Sequence, residues 1–314
     1  MTEVWLIGTG VMGIEYAKVL NALNIEFIAI GRGEANAKKF EEQAKHIVIR
    51  GGLEKYLTKY PKIPSAAIIA VGIESLAQIT KQLLDFGIMN ILLEKPGAMN
   101  YSEICKLLES ANRHNANILI AYNRRFYSSV YKAEDVIRED GGVTSFFFEF
   151  TEWSNAIEKL VLPQTVFNNW FLGNSSHVVD TAFFLGGKPT KLYTLHKGGI
   201  NWHPSSSVFV GAGESEKGAL FSYHANWEAP GRWAIELLTK KHRLFLKPME
   251  SLQIQNLDSI LVEPIVIDDK LDKEFKPGVY LQTKSFLDTD ISRLCTLKEQ
   301  KEMIEKYYLN ISGY

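Results

Sequence analysis

Val4-Trp-Leu-Ile-Gly-Thr-Gly-Val-Met-Gly13 is the stretch on which the reading of this chain turns. Residues 4–7 form a short apolar run suited to a buried strand. Gly8, Gly10 and Gly13 follow in Gly-x-Gly-x-x-Gly spacing and lead into an amphipathic run over residues 14–23. In a strand–turn–helix unit Gly8 makes the tight turn, Gly10 lets the backbone approach a pyrophosphate, and Gly13 lets the helix lie close to the strand. The phosphates then sit at the helix N-terminus, where free N–H groups and the helix dipole favour an anion. Gly8, Thr9, Gly10, Val11, Met12 and Gly13 are therefore the first candidate cofactor-binding residues. A second strand-like run at residues 26–30 follows the helix and separates this reading from that of an uncommitted glycine-rich turn.

The alternation continues beyond this unit. Residues 66–71 are a continuous apolar run, as expected of a parallel strand covered on both faces; a helix over 75–86 and a strand over 90–93 come next. This pattern predicts an α/β doubly wound sheet. In such a sheet ligands lie beyond the carboxyl ends of the strands, so Val71 and the residues after Leu93 are expected to face the nicotinamide half of a dinucleotide. The second strand ends in Gly31-Arg32-Gly33, with no acid at its tip to hold a ribose 2′-hydroxyl. Arg32, with Lys38 and Lys39 beyond it, suits a 2′-phosphate, so NADP is preferred over NAD. The other reading of Arg32 is a solvated surface arginine near Glu34.

After Leu93 comes Glu94-Lys95-Pro96. A lysine at the cofactor edge of a buried strand can hold a substrate hydroxyl, and partial desolvation tunes it for proton transfer, with Glu94 orienting it. An ordinary strand-end ion pair accounts for the same residues. A helix over 101–112 and a strand over 117–121 run into Tyr122-Asn-Arg-Arg-Phe126, placing Asn123 and Arg124 at the ligand edge, with Arg125 open to a structural role. The nucleotide domain is thus assigned to residues 1–122 and a second domain to 123–314.

Composition narrows the classes. A length of 314 residues suggests two domains, and a net charge of −1 provides no basic field for nucleic acid or an anionic membrane. With 46% hydrophobic and 23% charged residues the chain has the balance of a globular protein, no apolar run is long enough to span a bilayer, and the expected setting is the cytoplasm. Cys105 and Cys295 share no motif, and the histidines show no ligand spacing, so no metal is assigned.

In the second half, Phe146, Phe148 and Phe150 alternate onto one face of a strand. Residues 153–171 are aromatic and irregular, readable as a pocket wall for a sugar or as filler under a long loop. Gly173-Asn-Ser-Ser-His-Val-Val-Asp180 reads as a helix capped at both ends, with Gly186-Gly187 as its stop. His177 and Asp180 share a face at (i, i+3); an aspartate there fixes a histidine's tautomer and raises its basicity, though a lone helical histidine also serves structure. Short β-rich runs from residue 192 to 246, joined by tight turns, predict an antiparallel meander. A large sheet with helices on one face predicts a homodimer or homotetramer that covers the other.

These motifs, in their order and spacing, resemble the Gfo/Idh/MocA oxidoreductases, a family named for glucose–fructose oxidoreductase and inositol dehydrogenase. The resemblance is carried by Gly8–Gly13, Glu94-Lys95-Pro96, Tyr122-Asn-Arg-Arg-Phe126, His177 and Asp180. It implies a Rossmann domain followed by an α+β domain with a large, open, mostly antiparallel sheet. It also implies NAD or NADP as cofactor, and hydride transfer to or from a hydroxyl-bearing carbon of a sugar, cyclitol or related molecule. Lys95 would contact the reacting hydroxyl, often with a cis bond before Pro96, and His177 would act as acid or base beside Asp180. Asn123 and Asn174 join them as candidate substrate-binding residues, and Asn168 and Asn169 lean the same way towards a polyol. The chain departs from the family at Gly173, where an aspartate is common. That departure keeps open a dinucleotide-binding regulator without turnover, and a reductase of a non-sugar is the other alternative.

Overall fold

The computed structural model describes residues 3–314, which form two compact units. The first comprises the described residues up to Asn123 together with Leu271–Glu302; the second comprises Arg124–Lys270 and Met303–Tyr314. A single boundary after residue 122 therefore misses the return of Leu271–Glu302 to the first unit. That segment returns for a physical reason: its helix Val279–Leu287 buries Val279 and Phe286, and Cys295–Thr296 pairs antiparallel along a sheet edge.

Six parallel strands build the first unit: β1 (Val4–Ile7), β2 (Phe27–Gly31), β3 (Val48–Arg50), β4 (Ala66–Ile69), β5 (Asn90–Glu94) and β6 (Asn117–Ala121). Their spatial order is β6-β5-β4-β1-β2-β3, the doubly wound order whose switch point lies between β1 and β4. Every residue of β1 and β4 is buried, which is why those runs read as continuous apolar stretches. Strand β3 has no such signature; three residues with one buried leave no periodicity to read. The crossovers are α1 (Val11–Ala22), α2 (Glu34–Ala44), α3 (Gly52–Leu57), α4 (Leu76–Phe86) and α5 (Tyr101–His114).

The second unit is an eight-stranded sheet: β7 (Ser145–Glu149), β8 (Pro189–Lys197), β9 (Val208–Ser215), β10 (Leu220–Asn226), β11 (Ala234–Leu238), β12 (His242–Leu246), β13 (Gln253–Asn256) and β14 (Val262–Pro264). It is not the simple meander that the turn spacing predicts. Strand β7 lies between β10 and β11, parallel to the first and antiparallel to the second. The aromatic face of β7 explains the insertion. Phe148 lies 5.1 Å from Tyr223 of β10 and 5.5 Å from Phe183, ring centre to ring centre, and both Phe146 and Phe148 are buried. A strand carrying that much apolar surface belongs mid-sheet, where the helix Ser176–Gly186 covers it.

That helix also begins differently from expectation. Residues Phe171–Ser175 form a widened π-helical turn leading into it, and Ser175 does not cap it.

Candidate dinucleotide and substrate sites

At the switch point of the first unit the three motif glycines have separate physical roles. A Cβ on Gly8, whose φ is +112°, would collide with the Ala70 carbonyl, and one on Gly13 would collide with the Gly8 carbonyl. A Cβ on Gly10 would meet nothing within 4 Å. It points into a cavity of about 330 Å³ whose walls include Thr9, Gly10, Arg32, Asn36, Val71 and Ser75. The helix α1 starts there, with Gly10 at its N-cap and no acidic residue in its first turn. The residues present thus fit a dinucleotide: an open backbone cradle, unopposed N–H groups and a helix N-terminus for the pyrophosphate. Arg32 is exposed and, among the described residues, is the one charged side chain on the cavity wall. Glu34 is turned to Arg50, at 2.9 Å.

At the end of β5 the Lys95–Pro96 bond is cis, and Lys95 is half-buried. Glu94 accepts a 2.7 Å hydrogen bond from the hydroxyl of fully buried Tyr16. Burial raises the Glu94 carboxyl above its ordinary range, opposed by the Tyr16 bond and the Lys95 charge. Two glutamines from the returning segment brace this edge. Gln300 donates to the Pro96 carbonyl at 3.0 Å and accepts from the Tyr122 hydroxyl at 3.1 Å. Gln282, in the amide orientation that satisfies its neighbours, accepts from the N–H groups of Tyr122 (3.1 Å) and Asn123 (3.0 Å). The Asn123 side chain donates to the Pro277 carbonyl at 2.9 Å. Sequence reasoning found the edge and missed its brace, because both glutamines lie more than a hundred residues downstream with no local pattern.

The second unit holds the remaining candidates. His177 is 6% exposed and its ring lies 6.3 Å from that of Trp233. Asp180 is bound by Arg125 through two contacts, Nε to Oδ2 at 2.9 Å and Nη2 to Oδ1 at 2.6 Å, with both side chains buried. The structural reading of Arg125 is therefore the one its contacts match. The Arg124 guanidinium lies 4.6 Å from the Trp233 ring centre, and burial lowers its pKa. Arg232 lies over the same indole at 4.4 Å and over Trp153 at 4.5 Å.

Asn174 donates to Glu152 at 2.9 Å, and Ser175 donates to the same oxygen at 2.7 Å. Glu152, just past the end of β7, is 2% exposed, and burial raises its pKa against these bonds and Arg232. A buried carboxylate thus stands beside the turn that leads to His177, although position 173 is glycine. The other amides read as polyol ligands have local duties: Asn168 accepts from Gln164 and Asn169 donates to the Thr165 carbonyl, each at 2.9 Å. Of the aromatic stretch from 153 to 171, Trp153 lines a cavity, whereas Phe167 and Phe171 are buried. Among the described residues no cluster of three or more His, Cys, Asp or Glu side chains is placed to hold a metal, and no helix is long and apolar enough to cross a membrane.

The family model described as an oxidoreductase family with an NAD-binding Rossmann fold matches residues 2–122. Those residues belong to the Gfo/Idh/MocA family. No curated protein sequence matches the chain. Among solved structures, levoglucosan dehydrogenase in complex with NADH and L-sorbose superposes with a TM-score of 0.78 at 15% identity, covering 99% of this chain and 96% of that one. The dehydrogenase MviM from Clostridium difficile gives 0.76 at 16%, covering 99% of each chain. UDP-N-acetylglucosamine 3-dehydrogenase GnnA from Acidithiobacillus ferrooxidans gives 0.74 at 12%, covering 99% and 97%. At these identities the likeness establishes the fold alone: a Rossmann unit with a large, mostly antiparallel second sheet.

Proposed function

We propose that this protein is an NADP-preferring, cytoplasmic oxidoreductase that moves a hydride between the nicotinamide and a hydroxyl or keto carbon of a sugar or sugar derivative. The observation that carries the reading is the open cradle at Gly10, held between the close contacts that fix Gly8 and Gly13. The preference for NADP rests on Arg32 at the cavity wall and on Glu34 being turned to Arg50. The carbohydrate direction is supported by the sugar dehydrogenases that share the fold.

When bound, the dinucleotide supplies the carbon that gives or takes the hydride. Lys95 holds the substrate oxygen, and His177 takes its proton or returns it. Asp180, gripped by Arg125, fixes the helix that carries His177. Glu94 and Pro96 set the position of Lys95, and Val71 borders the cavity. Asn123 and Arg124 act as positioning residues through Pro277 and Trp233. Asn174 acts on the substrate side through Glu152.

Gly173 favours a second reading, a regulator that binds the dinucleotide without turnover, because no carboxylate comes from that position. Bound NADPH fluorescence in the full-length protein, followed as a panel of keto-sugars is added, separates the two. The proposed enzyme shows decay, and Lys95→Ala and His177→Ala each slow it on the order of a hundredfold while NADPH still binds. Binding with no decay across the panel overturns the enzymatic reading.

A further inference from the structure

Arg124 and Arg125 are neighbours in the chain with opposite surroundings. Arg125 is gripped at two nitrogens by Asp180. Arg124 donates to no acceptor and pairs with no carboxylate among the described residues; its Nε is buried without a partner, while the side chain as a whole is half-buried. Burial is the largest influence on this guanidinium and works against its charge; Tyr127, Glu250 and Glu152 support the charge and Arg232 opposes it. The contact of Arg124 with Trp233 leaves its nitrogens unmatched.

A second unmatched donor lies against it. Trp233 is 6% exposed, and its indole N–H is buried with no acceptor among the described residues. The same indole carries Arg232, at 4.4 Å from its ring centre. The carboxylate beside Arg232 is Glu152 at 3.5 Å, whose other oxygen already accepts from Asn174 and Ser175. Two guanidiniums and an indole N–H thus gather at one ring, with that distant carboxylate oxygen as their acceptor. Buried donors without partners carry an uncompensated desolvation cost, and two like charges on one ring repel. A carboxylate or phosphoryl group relieves both, since a guanidinium fork meets either with paired hydrogen bonds. The ring of His177 lies 6.3 Å from that of Trp233, within the span of a sugar and its substituents.

We propose that the substrate carries an acidic group, a carboxylate or a phosphoryl, bound by Arg124 and Arg232 at Trp233. The acidic group narrows the substrate class of the oxidoreductase proposed above, and its link to turnover rests on that reading. The binding itself is a property of the second unit.

The test is calorimetric titration of the full-length protein with glucose, glucuronic acid, glucose 6-phosphate and UDP-glucose, each without and with NADPH. At least one of the three acidic sugars is expected to bind roughly tenfold or more tightly than glucose, and which one does so separates a carboxylate from a phosphoryl source. The advantage shrinks as salt is raised towards about 0.5 M. In Arg124→Gln, and separately in Arg232→Gln, it falls to within about threefold. Arg232 is 42% exposed, so its variant reads binding even where Arg124→Gln lowers the melting temperature. Glucose bound as tightly as every acidic sugar, no binding of any of the four, or an advantage undiminished in both variants each overturns the proposal. Arginine-dependent binding of an acidic sugar by a protein that does not bind NADPH would instead strike the redox reading and leave the anion site standing.

Discussion

At Gly8, Gly10 and Gly13 the absence of a side chain serves three different ends, and alanine substitution separates them. Gly13→Ala drives a Cβ into the Gly8 carbonyl, and moving helix α1 away from the strand is expected to cost about 2 kcal/mol or more, read as a fall in melting temperature. Gly10→Ala meets open space, so melting is expected to stay near the parent value while NADPH affinity falls roughly tenfold, because the methyl fills the cradle. Calorimetric melting and NADPH titration of both variants check this; equal loss of stability in both would mean that Gly10 is structural. These roles were legible because backbone geometry fixes glycine spacing locally. The asparagines were less legible: Asn168 and Asn169 look like hydroxyl ligands in a sequence, yet a helix gives each a partner one turn away. Glu152 carried no signal, since only the sheet brings the end of β7 beside Asn174 and Ser175.

At the scale of elements, the helix Ser176–Gly186 is the piece on which the second site depends. It presents Phe183 to the aromatic face of β7 and Asp180 to Arg125. An ion pair this deeply buried holds its element by mutual need more than by net gain: removing one partner strands a charge, whereas replacing both does not. Arg125→Leu or Asp180→Leu alone is expected to cost about 3–5 kcal/mol of stability in denaturant titrations, and the double replacement clearly less than the sum. Additive losses would contradict the coupling. The spacing of His177 and Asp180 on one helical face was readable from period alone; the partner of Asp180, more than fifty residues upstream, was not. The insertion of β7 between β10 and β11 is illegible for the same reason, since alternation tells which face is buried and not which strand lies alongside.

Across the molecule, each unit closes its own core, but the large sheet keeps an apolar face. Tyr193 and Leu195 on β8 are each 73% exposed, and Val210, paired opposite Leu195, is 42% exposed on the same side. We expect a second copy of the chain to cover this face. Sedimentation velocity at micromolar concentration should show a dimer or tetramer, and Leu195→Glu should shift it to monomer without lowering NADPH affinity. A monomeric parent protein would contradict this expectation. The doubly wound order of the first unit and the mostly antiparallel character of the second were both foreseeable, because long runs of buried strand and tight turns leave strong marks. The return of Leu271–Glu302 to the first unit left none, since Gln282 and Gln300 act through single side chains at long range.

Hydride transfer from the nicotinamide can be followed by isotope. NADPH carrying deuterium at both hydrogen positions of the reactive nicotinamide carbon, incubated with the full-length protein and a panel of keto-sugars, should yield a reduced product one mass unit heavier by mass spectrometry. Products of unchanged mass, or none from any keto-sugar while NADPH remains bound, would contradict it.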